Sequence, residues 1–159
     1  MRILLVDDNS TDIERSLEAL DAHGLARFVR VARGGQEALD FLFGRGQFQD
    51  RRRHPLPDIV LLDMNMPRVD GFCVLWQIRR SDALRRIPVI ALCCSGEEAL
   101  RAVAYRAHAD DCLLKPLSGG EELRDSIDRA LAGQPHQDVD LLLHRECIPG
   151  VARGGAGRG

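Results

Sequence analysis

Three observations on this 159-residue chain predict a doubly wound α/β fold, a parallel sheet with helices on both faces. Short apolar runs alternate with amphipathic helical patterns from the N-terminus to about Ala132. The alternation repeats five times, and one run, Ile59 to Leu62, is apolar without interruption. Strand–helix alternation implies parallel strands joined by crossover helices. An uninterrupted apolar strand belongs at the sheet centre, covered on both sides.

The first run, Ile3 to Val6, leads to a helix with Ile13, Leu17 and Leu20 on one face, its start signalled by Asn9, Ser10 and Thr11. A second run, Phe28 to Val31, precedes a helix through Ala38, Leu39 and Leu42, and the third run is Ile59 to Leu62. Helical patterns follow at 72–80, 97–108 and 119–132, separated by apolar runs at 87–93 and 111–114. The segment "GRGQFQDRRRHPLP", residues 44–57, is too polar and too rich in Gly, Pro and Arg for a core. A loop of that length is expected to be functional or mobile, with Arg51 to His54 as solvated surface. The domain is expected to span 1–132. Residues 133–159 are expected to form a largely disordered C-terminal tail, too short for an independent DNA-binding domain.

A net charge of −2 gives no general basis for binding nucleic acid or a polybasic-seeking membrane surface, so neither partner is expected. No apolar stretch approaches the roughly 18 residues that span a bilayer. The five cysteines (73, 93, 94, 112 and 147) form no C-x-x-C, and the chain opens into a strand-like run without a signal-peptide apolar region. A reducing, cytoplasmic location is expected. Cys93, Cys94, Cys112 and His108 lack a recognised zinc-ligand spacing, and no base is paired in sequence with a cysteine nucleophile.

Open parallel sheets bind ligands at the carboxyl ends of their strands. The first strand ends in Asp7 and Asp8, the third in Asp63, the fourth in Cys93, and the fifth runs into Lys115 and Pro116. Singly, Asp8 could cap a helix and Asp63 could stand exposed at a strand end. Three carboxylates on one rim repel, however, and repulsion raises their pKa unless a counter-charge is present. A hard divalent cation with oxygen ligands, most simply Mg2+, resolves the conflict and leaves positions open for phosphate oxygens. Lys115 is the only lysine among 22 basic residues. Lysine binds phosphate as a compact point charge where arginine prefers a bidentate fork.

The stretches "LLVDDNSTD" (4–12), "VLLDMNMPRVDG" (60–71), "IPVIALCCSG" (87–96) and "LLKP" (113–116) resemble the receiver domain of two-component response regulators. The resemblance is to the single-domain, CheY-like type, nearest to phytochrome-associated regulators, and covers about residues 2–132. It implies a flavodoxin-like five-stranded sheet of order 2-1-3-4-5. It implies a phosphoprotein whose Asp63 takes a phosphoryl group from a sensor histidine kinase, of the phytochrome type in the nearest relatives. Asp8 and Asp63 would be direct Mg2+ ligands, Asn65 would offer a backbone carbonyl, Asp7 would act mostly through water, and Lys115 would hold a phosphoryl oxygen. Signalling would proceed by protein contact, with a homodimer through the fourth helix, fifth strand and fifth helix. No nucleophile of a turnover enzyme is expected: a phosphatase on a similar fold would want Asp-x-Asp on the first strand, where Asp7 and Asp8 are adjacent. The alternative is a degenerate receiver acting as a phosphate-independent interaction module.

Two positions depart from the family pattern. Receivers carry Thr or Ser at the end of strand four, where this chain has Cys93, and Tyr or Phe three residues before the lysine, where it has Cys112. A thiol is a weaker donor than a hydroxyl, so a switch hydrogen bond worth about 1 kcal/mol is weakened. Phosphorylation is therefore expected to survive and its propagation to be blunted. A sharper alternative makes Cys93 and Cys112 a redox pair, against the simpler one of buried thiols as small hydrophobes. The Ser95 hydroxyl could partly substitute for the missing one or cap the helix that follows. Trp76 is expected to pack, and His23, His108, His136 and His144 show no partner pattern.

Overall fold

Strand residues in this chain are apolar at nearly every position because the sheet is covered on both sides. The computed structural model describes residues 1–96, 109–117 and 120–133. Its strands are β1 (Ile3–Val6), β2 (Val29–Ala32), β3 (Ile59–Asp63), β4 (Val89–Cys93) and β5 (Asp111–Leu114). They form one parallel sheet of order β2-β1-β3-β4-β5, as the resemblance implies. The helices are α1 (Ser10–Asp21), α2 (Gly35–Phe43), α3 (Gly71–Arg80) and α4 (Glu121–Leu131), the last being the fifth predicted helix. The helix predicted at 97–108 and the tail from 134, with Cys147, lie outside the described residues.

Successive residues of a strand point to opposite faces. Leu4, Val6, Val60, Leu62, Val89 and Ala91 therefore pack with α2 and α3, while Ile3, Leu5, Ile59, Leu61, Ile90 and Leu92 pack with α1 and α4. All five residues of β3 are buried, as its unbroken apolar run requires.

The N-cap of α1 is Asn9, whose side chain accepts the Asp12 N–H at 3.0 Å. Asp8 is thereby left free of the capping role that it could have filled. At α3, Asp70 caps the helix through the Cys73 N–H at 2.8 Å. Gly71 follows it because a Cβ there would strike the Asp63 carbonyl and the Met64 backbone. The Asp-Gly pair thus lets α3 begin hard against the end of β3.

Two boundaries differ from expectation. Phe28 lies in a short 3-10 turn (Ala26–Phe28), so β2 starts at Val29. The 87–93 run yields a strand only from Val89, since the Ile87 N–H is still bonded back to the Leu84 carbonyl of the preceding turn.

The loop 44–57 also corrects an expectation: it is not a uniformly solvated connection. Gly44, at φ 66°, ends α2, and the Arg51 guanidinium donates to the carbonyls of Phe41 (2.7 Å), Leu42 (2.6 Å) and His54 (3.3 Å). The Phe41 and Leu42 carbonyls belong to the last turn of α2, where acceptors run out of intrahelical donors. Phe48 is buried, with its ring edge-on to Phe41 at 5.4 Å and to His54 at 5.2 Å. Arg52 and Arg53 are exposed as expected.

Candidate functional site

Backbone ladders deliver the rim residues to one place. The Asp7 N–H bonds the Ala32 carbonyl at 3.1 Å, Asp63 is the last residue of β3 opposite Leu92, and the Lys115 N–H bonds the Cys93 carbonyl at 2.8 Å. Oxygens of Asp7, Asp8 and Asp63 lie within 4.8 Å of one another. Asp7 and Asp63 are buried, whereas Asp8 is exposed at the mouth. A cleft of about 520 Å³ opens beside Asp8, lined also by Arg33, Glu37, Pro67, Arg68 and Val69.

Lys115 lies at the centre. Its Nζ is 3.1 Å from Asp7 Oδ2, 3.1 Å from Asp12 Oδ2 and 3.1 Å from Asp63 Oδ1. Asp63 Oδ1 also accepts the Asn65 N–H at 3.2 Å, and Asp7 Oδ1 accepts the Asn9 N–H at 3.0 Å. Asn65 is thus placed by its backbone, two residues beyond Asp63.

Burial raises the Asp63 pKa to about 6, and the neighbouring Asp7 charge adds to the rise, against the lowering effects of the Asn65 N–H and of Lys115. Burial works to lower the Lys115 pKa. Hydrogen bonds to Asp12 and Asp63, with the charges of Asp63 and Asp7, outweigh it and hold the ammonium above the ordinary lysine range. One cation facing several carboxylates leaves the cluster short of positive charge, and the close oxygen trio suits a hard divalent ion.

The corner at Cys93 and Cys112 is built differently. Cys93 is fully buried at the end of β4, opposite Leu114, and Cys112 is half-buried opposite Ala91. Both side chains belong to the apolar cluster on the α2–α3 side of the sheet. Burial pushes the Cys112 thiol up to about 11, aided by the charges of Asp111 and Glu122. At neutral pH it is therefore held as the unreactive thiol. Cys94 and Ser95 are exposed.

Sequence reasoning missed Asp12. It sits in the first turn of α1, where an acid is ordinarily explained by the helix dipole. The available signal was its position one turn beyond Asp8 on a helix that starts at the rim. Trp76 is not packed as expected: it is 40% exposed, with Arg80 stacked 5.2 Å from its ring centre. Among the described residues no helix is long and apolar enough to cross a membrane.

Comparison with known proteins places this geometry in a wider group. Probable methanogenesis regulatory protein FilR2 of Methanothrix harundinacea is 37% identical over 126 residues, covering 79% of this chain and 78% of that protein. Response regulator Rcp1 of Synechocystis sp. is 34% identical over 113 residues, covering 71% and 75%. A crystal structure of the Mn2+-bound form of a response regulator Rcp1 superimposes with a TM-score of 0.62 at 28% identity, covering 92% of this chain and 97% of that one. The bacteriophytochrome response regulator AtBRR superimposes with a TM-score of 0.73 at 40% identity, covering 81% and 91%. The response regulator receiver domain model matches residues 3–128. With fold, strand order and rim residues in agreement, the chain belongs to the response regulator receiver domain family of two-component systems.

Proposed function

We propose that Asp63 accepts a phosphoryl group from a sensor histidine kinase, with Mg2+ held by Asp7, Asp8, Asp63 and the Asn65 carbonyl. The observation that carries this reading is the buried Asp63 carboxylate, bonded through one oxygen to Lys115 and Asn65 and close to Asp7 and Asp8. Phosphoryl transfer asks a protein mainly to position groups and neutralise charge. When bound, Mg2+ supplies positive charge against the phosphoryl oxygens. Lys115 supplies the second positive charge, as a fixed ammonium beside the acceptor oxygen. Burial of Asp63 limits competing water, and the cleft beside Asp8 gives a donor its approach.

Output is by protein contact in the cytoplasm, from a domain spanning 1–132. Exposed Leu114 on the edge strand β5 and Leu131 on α4 support a homodimer through the fifth strand and last helix. A phytochrome-type kinase fits the likeness to AtBRR. The missing hydroxyl at Cys93 and missing ring at Cys112 leave phosphate with a weakened hold on that face.

The test is incubation with acetyl phosphate and Mg2+, read by intact mass. The wild type is expected to gain one phosphoryl group and Asp63→Ala none. Absence of the mass gain from both would favour the phosphate-independent interaction module that the two cysteines otherwise suggest.

A further inference from the structure

We propose that Asp12 is a positioning residue that competes with the phosphoryl group for the Lys115 ammonium and so sets how tightly the site holds phosphate; this rests on Asp63 being the acceptor. A lysine ammonium has three N–H donors. Here they face three carboxylates, those of Asp7, Asp12 and Asp63, each at 3.1 Å. Asp7 and Asp12 accept hydrogen bonds from the ammonium and Asp63 pairs with it as an ion before any phosphate arrives.

The three partners are not equivalent. Asp7 and Asp63 belong to the close oxygen trio with Asp8, so a divalent cation there shares their charge. Asp12 stands outside that trio, and its carboxylate depends on Lys115. Phosphorylation turns the Asp63 carboxylate into a mixed anhydride and removes its charge, and the phosphoryl oxygens must draw an ammonium donor to themselves. The remaining unshared anion on that ammonium is Asp12.

Neither partner can move far away. The Asp12 N–H is bonded to the Asn9 cap at 3.0 Å, which fixes the residue in the first turn of α1. The Lys115 side chain is 9% exposed, and its backbone is bonded to Cys93. Asp12 therefore stays within reach of the ammonium and opposes the incoming dianion both as a rival acceptor and as a like charge.

Because Lys115 is the only lysine, selective labelling of lysine Nζ gives a single ammonium resonance that reports this contact directly. The experiment titrates beryllofluoride, a phosphoryl analogue, into the full-length chain with Mg2+, following that resonance in wild type, Asp12→Asn, Asp12→Ala and Asp12→Glu. Asp12→Asn and Asp12→Ala are expected to displace the resting signal. They should also half-saturate at about fivefold lower analogue, the change that losing one modest charge-assisted hydrogen bond implies. Asp12→Glu should stay near wild type. Glu14→Gln, which removes an exposed acid of the same helix, should also leave the curve in place. Unchanged or weaker binding in Asp12→Asn overturns the proposal, as does an equal gain in Glu14→Gln, which would mark a general charge effect. Absence of saturation in wild type overturns the acceptor role of Asp63 and this inference with it.

Discussion

The acidic rim and the switch corner lie one strand apart and are held by opposite means. At the rim, Lys115 and three carboxylates form a charged cluster with the ammonium 3.1 Å from each acid. At the corner, Cys93 and Cys112 sit among apolar side chains, and Cys112 is held as a neutral thiol. A backbone bond joins them, from the Lys115 N–H to the Cys93 carbonyl. A site able to take up charge is thus coupled to a corner with no hydroxyl to answer it. On the function proposed above, the capacity to receive phosphate and the capacity to report it would be separated in this chain.

The largest effect should come from removing the rim's cation. Lys115→Ala leaves Asp7 and Asp63 buried without their partner and should cost about 3–5 kcal/mol in urea unfolding at pH 7 without metal. Mg2+ should return much of that loss. No loss, with or without Mg2+, would mean that the cluster is not held by this charge.

The next effect has the opposite sign. A folded pKa of about 6 for Asp63, above its ordinary 3.8, means that the folded state binds the proton more tightly than the unfolded chain. The cost of the buried charge is absent below about pH 4 and grows as the pH rises through 6. Asp63→Asn should therefore stabilise the metal-free protein by roughly 2–3 kcal/mol at pH 7.5 and by little at pH 4. Proton and metal compete for the same carboxylate, so Mg2+ affinity in the wild type should fall as the pH drops below 6. A flat pH dependence of Mg2+ binding would remove Asp63 from the ligand set.

At the corner the effects should be smallest in energy. Cys93→Thr should change stability by about 1 kcal/mol or less, since a buried hydroxyl loses solvation unless it finds a partner. Its consequence should appear in signalling, as a larger response of β4 and β5 to phosphate. Cys112 should react slowly with iodoacetamide at pH 7.5 in the folded chain, in keeping with a thiol held up to about 11. Rapid alkylation would reopen the redox reading.

The rim was legible in the sequence because strand ends can be counted: an apolar run that stops at Asp7, Asp63 or Lys115 places that residue at the carboxyl edge. The Asp-Gly pair at 70–71 was legible as a motif, although its reason, the close approach of α3 to Asp63, needed coordinates. Asp12 was not legible, because a first-turn acid has a sufficient local explanation and its bond to Lys115 spans most of the domain. Arg51 was hidden for a related reason. Three successive arginines look alike in a polar run, and only the end of α2 decides which one folds back on its carbonyls.

The central claim is that this receiver keeps its phosphate chemistry while muting the route through β4 and β5. The direct measurement is backbone amide NMR of the full-length chain with Mg2+, before and after beryllofluoride. Large shifts are predicted at Asp7, Asp8 and Asp63 to Asn65, with small ones from Ala91 to Cys93 and from Cys112 to Leu114 that grow in Cys93→Thr. Shifts as large at the corner as at the rim in the wild type, unchanged by Cys93→Thr, would contradict it.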